Sequence, residues 1–241
     1  MPIDHARPVR SAGHTRSWII ALASLALLAM FTACSDTKTT DPVTKGASLQ
    51  IVNAANVAVD VSVDGQVVAT NLAASALSPS LSVTSGAHTV SMMPTGITVG
   101  GVAVATSVTT SDAYSSAVAL TLSSAGALQA APLADTGKTV NVGRSKLRVM
   151  HLAKNALPLD IWRTQPDYQT PISILFPYTY QSGATVESAA GDWQVRIWPT
   201  GAGSWTSAMS SISVNIPSGV LRTVVTLDAP GGGAKLVLLD P

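Results

Sequence analysis

The sequence has little cysteine, charge or aromatic content, and each shortage limits what the protein can be. A single cysteine in 241 residues cannot form an internal disulfide. Charged residues make up 11% of the chain and the formal net charge is +1, so nothing in the charge balance indicates a nucleic-acid partner. Aromatic residues make up 5%, while small residues dominate, a composition that favours β-structure with many turns.

The few charged and aromatic residues are unevenly distributed. No Lys or Arg occurs between Gly46 and Gly137. After residue 33, most basic residues lie from Arg144 onward. Every aromatic residue after residue 33 except Tyr114 lies in the same half of the chain. The two halves are therefore predicted to present different surfaces.

No catalytic or metal-binding pattern is present. By strand parity, His88 and His151 lie among apolar neighbours, which predicts core histidines with ring nitrogens bonded to the backbone. Metal-ligand spacing, a G-x-S-x-G motif and a phosphate-binding loop are all missing, so we predict no enzyme, no metal and no cofactor. The alternative is a carbohydrate-processing hydrolase that uses Asp160 and Glu187.

A long apolar run occurs at the N-terminus, from Trp18 to Ala33, after three arginines. It is shorter than the roughly 20 residues of a membrane-spanning helix, which indicates a removable export signal. The segment from Phe31 to Cys34 resembles the lipobox of bacterial lipoproteins. The alternatives are an ordinary cleaved signal peptide or an uncleaved anchor.

The lipobox resemblance implies a signal peptide over residues 1–33 and a Cys34 sulfur that carries a diacylglyceryl group. The lipid bilayer would then be a partner through acylated Cys34. Ser35, where an Asp would favour the inner membrane of Gram-negative bacteria, implies sorting to the outer membrane. Residues 34–47 are polar and lack apolar periodicity, so they are predicted to form a flexible tether.

The rest of the chain contains an internal repeat. Residues 86–96 align without gaps on residues 191–201, and both segments share a glycine, a valine four positions later and a final Pro-Thr-Gly. Matching blocks lie upstream and downstream in the same order. Residues 48–136 and 145–241 are therefore predicted to be two copies of one domain.

Each copy has the pattern of short β-strands. Valines alternate with polar residues from Val59 to Val63, and Asp64-Gly65 then predicts a tight hairpin turn. No sustained helical periodicity follows residue 34. The predicted fold class is all-β, with two tandem immunoglobulin-like β-sandwich domains after a lipoprotein signal peptide.

Two blocks of the second copy resemble a known bacterial family, the domain of unknown function numbered 4397. Its opening motif is matched by His151, Ala153, Asp160 and Ile161, and its glycine-led strand by Gly191, Trp193, Val195 and Ile197. The resemblance implies tandem extracytoplasmic domains and assigns no activity.

A candidate binding surface follows from strand parity in the second copy. If Trp193, Val195 and Ile197 face the core, then Trp162, Trp198, Arg148 and Arg196 point outward. Exposed tryptophan beside arginine can stack on sugar rings or anchor a protein. The alternative is that these rings pack inside the molecule. We therefore predict a non-catalytic binding or structural module of the cell envelope, with a glycan or protein as its partner.

Overall fold

The structure is a computed structural model, and it describes residues 46–97, 102–112, 114, 116–133, 140–165, 172–202 and 208–239. The predicted signal peptide, Cys34 and most of the tether lie outside the described residues. Within these ranges every regular element is a β-strand. None of the described segments is a helix long and apolar enough to cross a membrane.

The strands form two sandwiches in sequence order. The first sandwich contains β1 (Ala47–Asn53), β2 (Val59–Val63), β3 (Gln66–Leu72), β4 (Ala76–Leu77), β5 (Leu81–Val83), β6 (Gly86–Pro94), β7 (Val104–Thr110), β8 (Ser116–Leu122) and β9 (Leu128–Pro132). The second contains β10 (Arg144–His151), β11 (Leu159–Thr164), β12 (Ile172–Tyr178), β13 (Gly183–Ala189), β14 (Gly191–Pro199), β15 (Ser210–Ile216), β16 (Leu221–Asp228) and β17 (Ala234–Leu238). The predicted all-β fold class with tandem sandwiches is confirmed.

Both sandwiches have the same strand order. One sheet of the first runs β4-β1-β8-β9, with β5 also paired to β1, and the corresponding sheet of the second runs β13-β10-β16-β17. We call these the inner sheets. The outer sheets run β3-β2-β6-β7 and β12-β11-β14-β15. In each inner sheet the first strand of the sandwich pairs in parallel with the strand before its last, and the other pairings are antiparallel.

Each sandwich has its own core between its inner and outer sheet. Side chains at alternate positions of the longer strands supply most of it, as the period of a β-strand requires. The core of the first sandwich is built on Leu49, Ile51, Val59, Val61, Val90, Met92, Val118 and Leu120. The core of the second is built on Leu147, Val149, Leu159, Ile161, Trp193, Val195, Ile197 and Val224.

Local sequence signals account for the strand ends. The β2–β3 turn has positive φ at Asp64 (50°) and Gly65 (81°), as a two-residue type I′ hairpin requires. Strands β6 and β14 begin at the glycine and end at the proline that the two repeat segments share, since proline cannot donate a hydrogen bond to the next strand. Strands β16 and β17 form a further antiparallel hairpin, and the glycines of the loop between them have positive φ.

A third apolar cluster joins the two sandwiches. It forms where the outward sides of the two inner sheets pack against each other, and we call this contact the seam. Its buried members are Val52, Ala54, Ala117, Ala119, Leu133, Leu152, Val225, Leu227 and Leu239. Across the seam, the Tyr180 hydroxyl donates to Leu122 O (3.0 Å) and accepts from Leu122 N (2.9 Å).

Candidate functional site

The outward side of the second sandwich's outer sheet is the surface closest to the predicted binding site, and we call it the aromatic face. It consists of the side chains that alternate with core residues on three strands. These are Asp160 and Trp162 on β11, Asp192, Gln194, Arg196 and Trp198 on β14, and Ser211, Ser213 and Asn215 on β15.

Trp162 and Arg196 form the centre of the aromatic face. They are direct cross-strand partners in the antiparallel pair of β11 and β14, and both side chains are half-buried. The guanidinium of Arg196 donates from Nε to Gln194 Oε1 over 2.7 Å. A large planar ring and an oriented pair of polar groups therefore lie side by side on the sheet.

The first sandwich lacks this pair. At the positions aligned with Trp162 and Arg196 it has Ser62 and Ser91, which are themselves cross-strand partners on β2 and β6. The difference is confined to side chains, because the strand order is the same.

The structure corrects the prediction for Trp198. Its side chain lies on the outward side of β14, as strand parity predicts. It is only 4% exposed, however, so the predicted exposure beside Trp162 is wrong. Parity sets the side of the sheet to which a side chain points and not what covers it. The turn after β14 returns towards β11, where Gly201 N donates to Asp160 Oδ2 over 3.0 Å. Trp198 therefore offers little surface to a ligand.

The prediction for Arg148 is also wrong, because this residue does not belong to the aromatic face. It lies on β10 in the inner sheet and points into the seam. Its Nη2 donates to Leu133 O (2.6 Å) and its Nε donates to Thr223 Oγ1 (3.0 Å). Parity gave the correct side of the strand, but the sequence did not show that the first sandwich covers it.

The hydrolase alternative is excluded by the placement of its two carboxylates. Asp160 points outward from the outer sheet, whereas Glu187 points outward from the inner sheet, so the core of the second sandwich separates them. Glu187 accepts from Arg144 Nε over 2.7 Å. A glycosidase needs its two carboxylates on either side of one bond, which this arrangement cannot provide.

Both histidines are core residues, but only one nitrogen of the His151 ring has a hydrogen-bond partner in the described structure. His88 is 8% exposed, and its Nε2 lies 2.8 Å from Thr84 O while its Nδ1 lies 2.6 Å from Asp64 Oδ2. The bond to Asp64 raises the pKa of His88, and the same bond lowers the pKa of Asp64. His151 is fully buried and bonds through Nδ1 to Thr226 Oγ1 (2.9 Å). Burial lowers the pKa of His151.

Two clefts along the seam were not anticipated from the sequence. Their volumes are about 370 and 470 Å³, and both are lined by Leu133 and Met150. The signal that could have revealed the seam is β8, in which every residue is buried. A strand that is small or apolar at successive positions indicates burial on both faces. Across the described ranges, no group of three or more His, Cys, Asp or Glu residues could hold a metal ion.

Comparison with solved structures gives several distant similarities, among them the following two. The Bacillus anthracis TIE protein is 11% identical with a TM-score of 0.26, over 80% of this chain and 34% of that protein. This chain thus spans about a third of that protein's length. A candidate adhesin from Bacteroides ovatus is 12% identical with a TM-score of 0.26, over 81% of this chain and 93% of that one. A search of curated proteins found no match.

Comparison with protein families gives a direct assignment. A family model described as a domain of unknown function, DUF4397, matches residues 31–162. The match includes all strands of the first sandwich together with β10 and most of β11. Since it covers more than half of the 241 residues, this chain belongs to the DUF4397 family.

Proposed function

We propose that this protein is a lipid-anchored module of the bacterial cell envelope that binds a glycan, without catalysis, through the aromatic face of its second sandwich. The observation that carries the proposal is the half-buried Trp162–Arg196 pair among the polar side chains of the aromatic face. The aligned surface of the first sandwich has serines in both places.

The chemistry of this face suits a sugar better than an apolar protein surface. An indole ring packs against the C–H face of a pyranose, and neighbouring planar polar groups bond to its hydroxyls. The face also offers serines on β15, where Ser211 pairs with Arg196, and at the far end of the same strands Asn215 Nδ2 donates to Asp192 Oδ1 over 2.6 Å. Bonds of this kind between side chains hold polar groups in place before a ligand binds.

The absence of catalysis is part of the proposal. The separation of Asp160 from Glu187 removes the carboxylate pair that the sequence offered, and both histidines are held by structural bonds. The proposal therefore places the function in recognition alone.

Anchoring through Cys34 is also part of the proposal. Two acyl chains on this residue would hold the protein stably on a membrane, and the residues that follow would link it to β1 at Ala47. The identical strand orders support a second DUF4397 copy in the second sandwich. We propose the outer membrane as the location, from the residue after the cysteine.

The test uses the mature chain, which is the chain from residue 34 onward. It compares this chain with its variants Trp162→Ser and Arg196→Ser, which introduce the residues found at the aligned positions of the first sandwich. We expect retention on immobilised peptidoglycan or envelope polysaccharide to fall about tenfold or more, since a binding hot spot contributes at least about 1.4 kcal/mol. Melting temperature checks that the variants fold. The matched control is Ser62→Ala on the first sandwich, which should bind as the wild type does.

Three outcomes separate the parts of the proposal. Equal retention of all variants would exclude the aromatic face as the binding surface. Retention on envelope extract that protease treatment abolishes would identify a protein partner instead of a glycan. Mass spectrometry of the native protein that shows an unmodified Cys34 thiol would exclude the lipid anchor.

A further inference from the structure

Arg163 is a buried arginine on the core-facing side of β11, at one end of the second sandwich. It alternates with Leu159 and Ile161, which are core residues, and it is only 8% exposed. Its guanidinium lies 5.0 Å from the centre of the Trp193 ring, a cation–π contact. Burial lowers the pKa of Arg163, yet an arginine remains charged.

The guanidinium of Arg163 lacks a counter-charge in the described part of the chain. Its Nε and Nη1 are buried, and neither has a hydrogen-bond acceptor there. Arg144 lies near enough to lower the pKa of Arg163 further, and that arginine is already paired with Glu187. Among the described residues, the positive charge of Arg163 is therefore uncompensated.

A second arginine faces the same core from the opposite sheet. Arg222 on β16 lies two residues before the core residue Val224 and pairs in register with Leu147. Its Nε and Nη1 are also buried without an acceptor among the described residues. Arg163 and Arg222 thus bring four unsatisfied N–H donor atoms to the same end of the sandwich, from its two facing sheets.

A hydroxyl adds to this donor set. Ser188 on β13 is 2% exposed, and its Oγ is buried without a partner in the described structure. It alternates with Val186 and Ala184, which pack against the core, so its side chain is on the core-facing side as well. Buried polar groups nearly always have partners, and a missing partner often marks an ion or water. At this end of the second sandwich, the groups missing from the described residues are hydrogen-bond acceptors.

The first sandwich shows how this end is completed when the chain supplies its own anion. Val63 stands at the position of Arg163 and Ser116 at that of Arg222, so neither arginine is present. The cation there is His88, and the Asp64 carboxylate lies 2.6 Å from its ring. The residue aligned with Asp64 in the second sandwich is Thr164, which has no carboxylate.

We propose that this end of the second sandwich is an anion-binding site, in which Arg163 and Arg222 hold a small oxyanion group such as phosphate, sulfate or a carboxylate between the two sheets. An oxyanion supplies several acceptor atoms at once, which suits donors that come from two arginines and a serine. The site is independent of the aromatic face, because Arg163 points into the core whereas Arg196 points out of it.

The test measures thermal unfolding of the mature chain at constant ionic strength, with chloride replaced stepwise by inorganic phosphate or sulfate. We expect a saturable rise in melting temperature at millimolar oxyanion, and a matching binding isotherm by calorimetry. Arg163→Val and Arg222→Ser, which install the residues of the first sandwich, should abolish the rise. In chloride alone, Arg163→Val should melt at or above the wild-type temperature, because it removes an unpaired buried charge.

Arg196→Ser is the matched control, since it removes one arginine from the outward side of the same sheet. It should keep the oxyanion response even while it loses glycan retention, so the two proposals can fail separately. Glucuronate distinguishes a carboxylate on a sugar from a free inorganic ion. A melting temperature that does not change with oxyanion concentration would contradict the proposed site. A rise in melting temperature that persists in Arg163→Val would contradict it as well. If Arg163→Val does not fold, Arg222→Ser and wild-type calorimetry decide the question.

Discussion

His88 shows how one residue can make the stability of a sandwich depend on pH. Its Nε2 faces Thr84 O and its Nδ1 faces a carboxylate oxygen of Asp64, and both of these atoms only accept hydrogen bonds. Trp193, the aligned residue of the second sandwich, donates from Nε1 to Ala189 O in the same way that His88 donates to Thr84 O. Both ring contacts of His88 are therefore satisfied only in the imidazolium form.

The first prediction concerns this pair. Because the folded pKa of His88 lies above the ordinary 6.5, its contribution is complete below pH 6.5 and is lost as pH rises through the raised value. The pKa of Asp64 lies below the ordinary 3.8, so its contribution is present above that pH and is lost on acidification. The pair should stabilise the fold most at mildly acidic pH.

Proton NMR of the His88 ring and urea unfolding at pH 6 to 9 measure this dependence. In Asp64→Asn we expect the pKa of His88 to fall and the alkaline loss of stability to shrink. A wild-type His88 that titrates at or below 6.5 would contradict the assignment of the imidazolium.

Asn53 and His151 occupy aligned positions, and each forms hydrogen bonds at the buried end of its strand through a different type of side chain. Each is the last residue of the first strand of its sandwich, and each is fully buried. Asn53 Nδ2 donates to Val57 O (2.8 Å) and Leu72 O (2.9 Å), which fixes the loop before β2 and the end of β3. The sequence placed both residues in one alignment column, but only the structure shows that both bond at the end of a buried strand.

Among the elements, the strands of the seam decide how the two sandwiches are joined. Strand β8 is buried at every position, and β16 is buried from Thr223 to Leu227. One side of each strand enters its own sandwich core, and the other side enters the seam. Packing of sheet on sheet here resembles the packing inside each sandwich, since both depend on alternate apolar side chains.

The second prediction tests the seam at the scale of a single strand. Leu227 is fully buried in the seam, so Leu227→Ala should lower the free energy of unfolding by about 3 kcal/mol through lost burial and the cavity it leaves. Urea unfolding followed by circular dichroism measures the change. Leu157, which is 70% exposed, provides the control, and Leu157→Ala should cost less than about 0.5 kcal/mol. Similar costs for both variants would show that the seam does not stabilise the fold.

The strands also show what local sequence predicts well. Parity correctly assigned Trp193, Val195 and Ile197 to the core, because one buried face forces a period of two. It misjudged the surroundings of Trp198 and Arg148, which depend on a turn and on the other sandwich. Those neighbours are distant in sequence, and no local pattern identifies them.

At the scale of the whole molecule, the described residues from Gly46 onward belong to one compact unit that extends over Thr44–Pro241. The seam joins the sandwiches by apolar contact, and its edges carry polar bonds such as Lys154 Nζ to Ser123 O (2.7 Å). Neither sandwich can expose its inner sheet without placing this apolar surface in water.

The third prediction follows from that coupling. The mature chain should unfold in a single cooperative transition, because loss of either sandwich exposes the seam of the other. Differential scanning calorimetry should show one peak for the wild type. The double variant Leu227→Ala with Tyr180→Phe should separate it into two peaks. Two resolved peaks in the wild type would show that the sandwiches unfold independently.

The sequence by itself determined the all-β class, the hairpin turn at Asp64-Gly65, the strand limits set by glycine and proline, and the core side of β11 and β14, because these follow from short-range backbone preferences and a period of two. Only the tertiary structure decided that the inner sheets meet in a seam, that Arg148 lies inside it, and that Arg163 and Arg222 face one core. Those outcomes depend on which surfaces pack together. A local pattern such as that of β8 can indicate burial on both faces of a strand, but it cannot identify the distant residues that cover those faces.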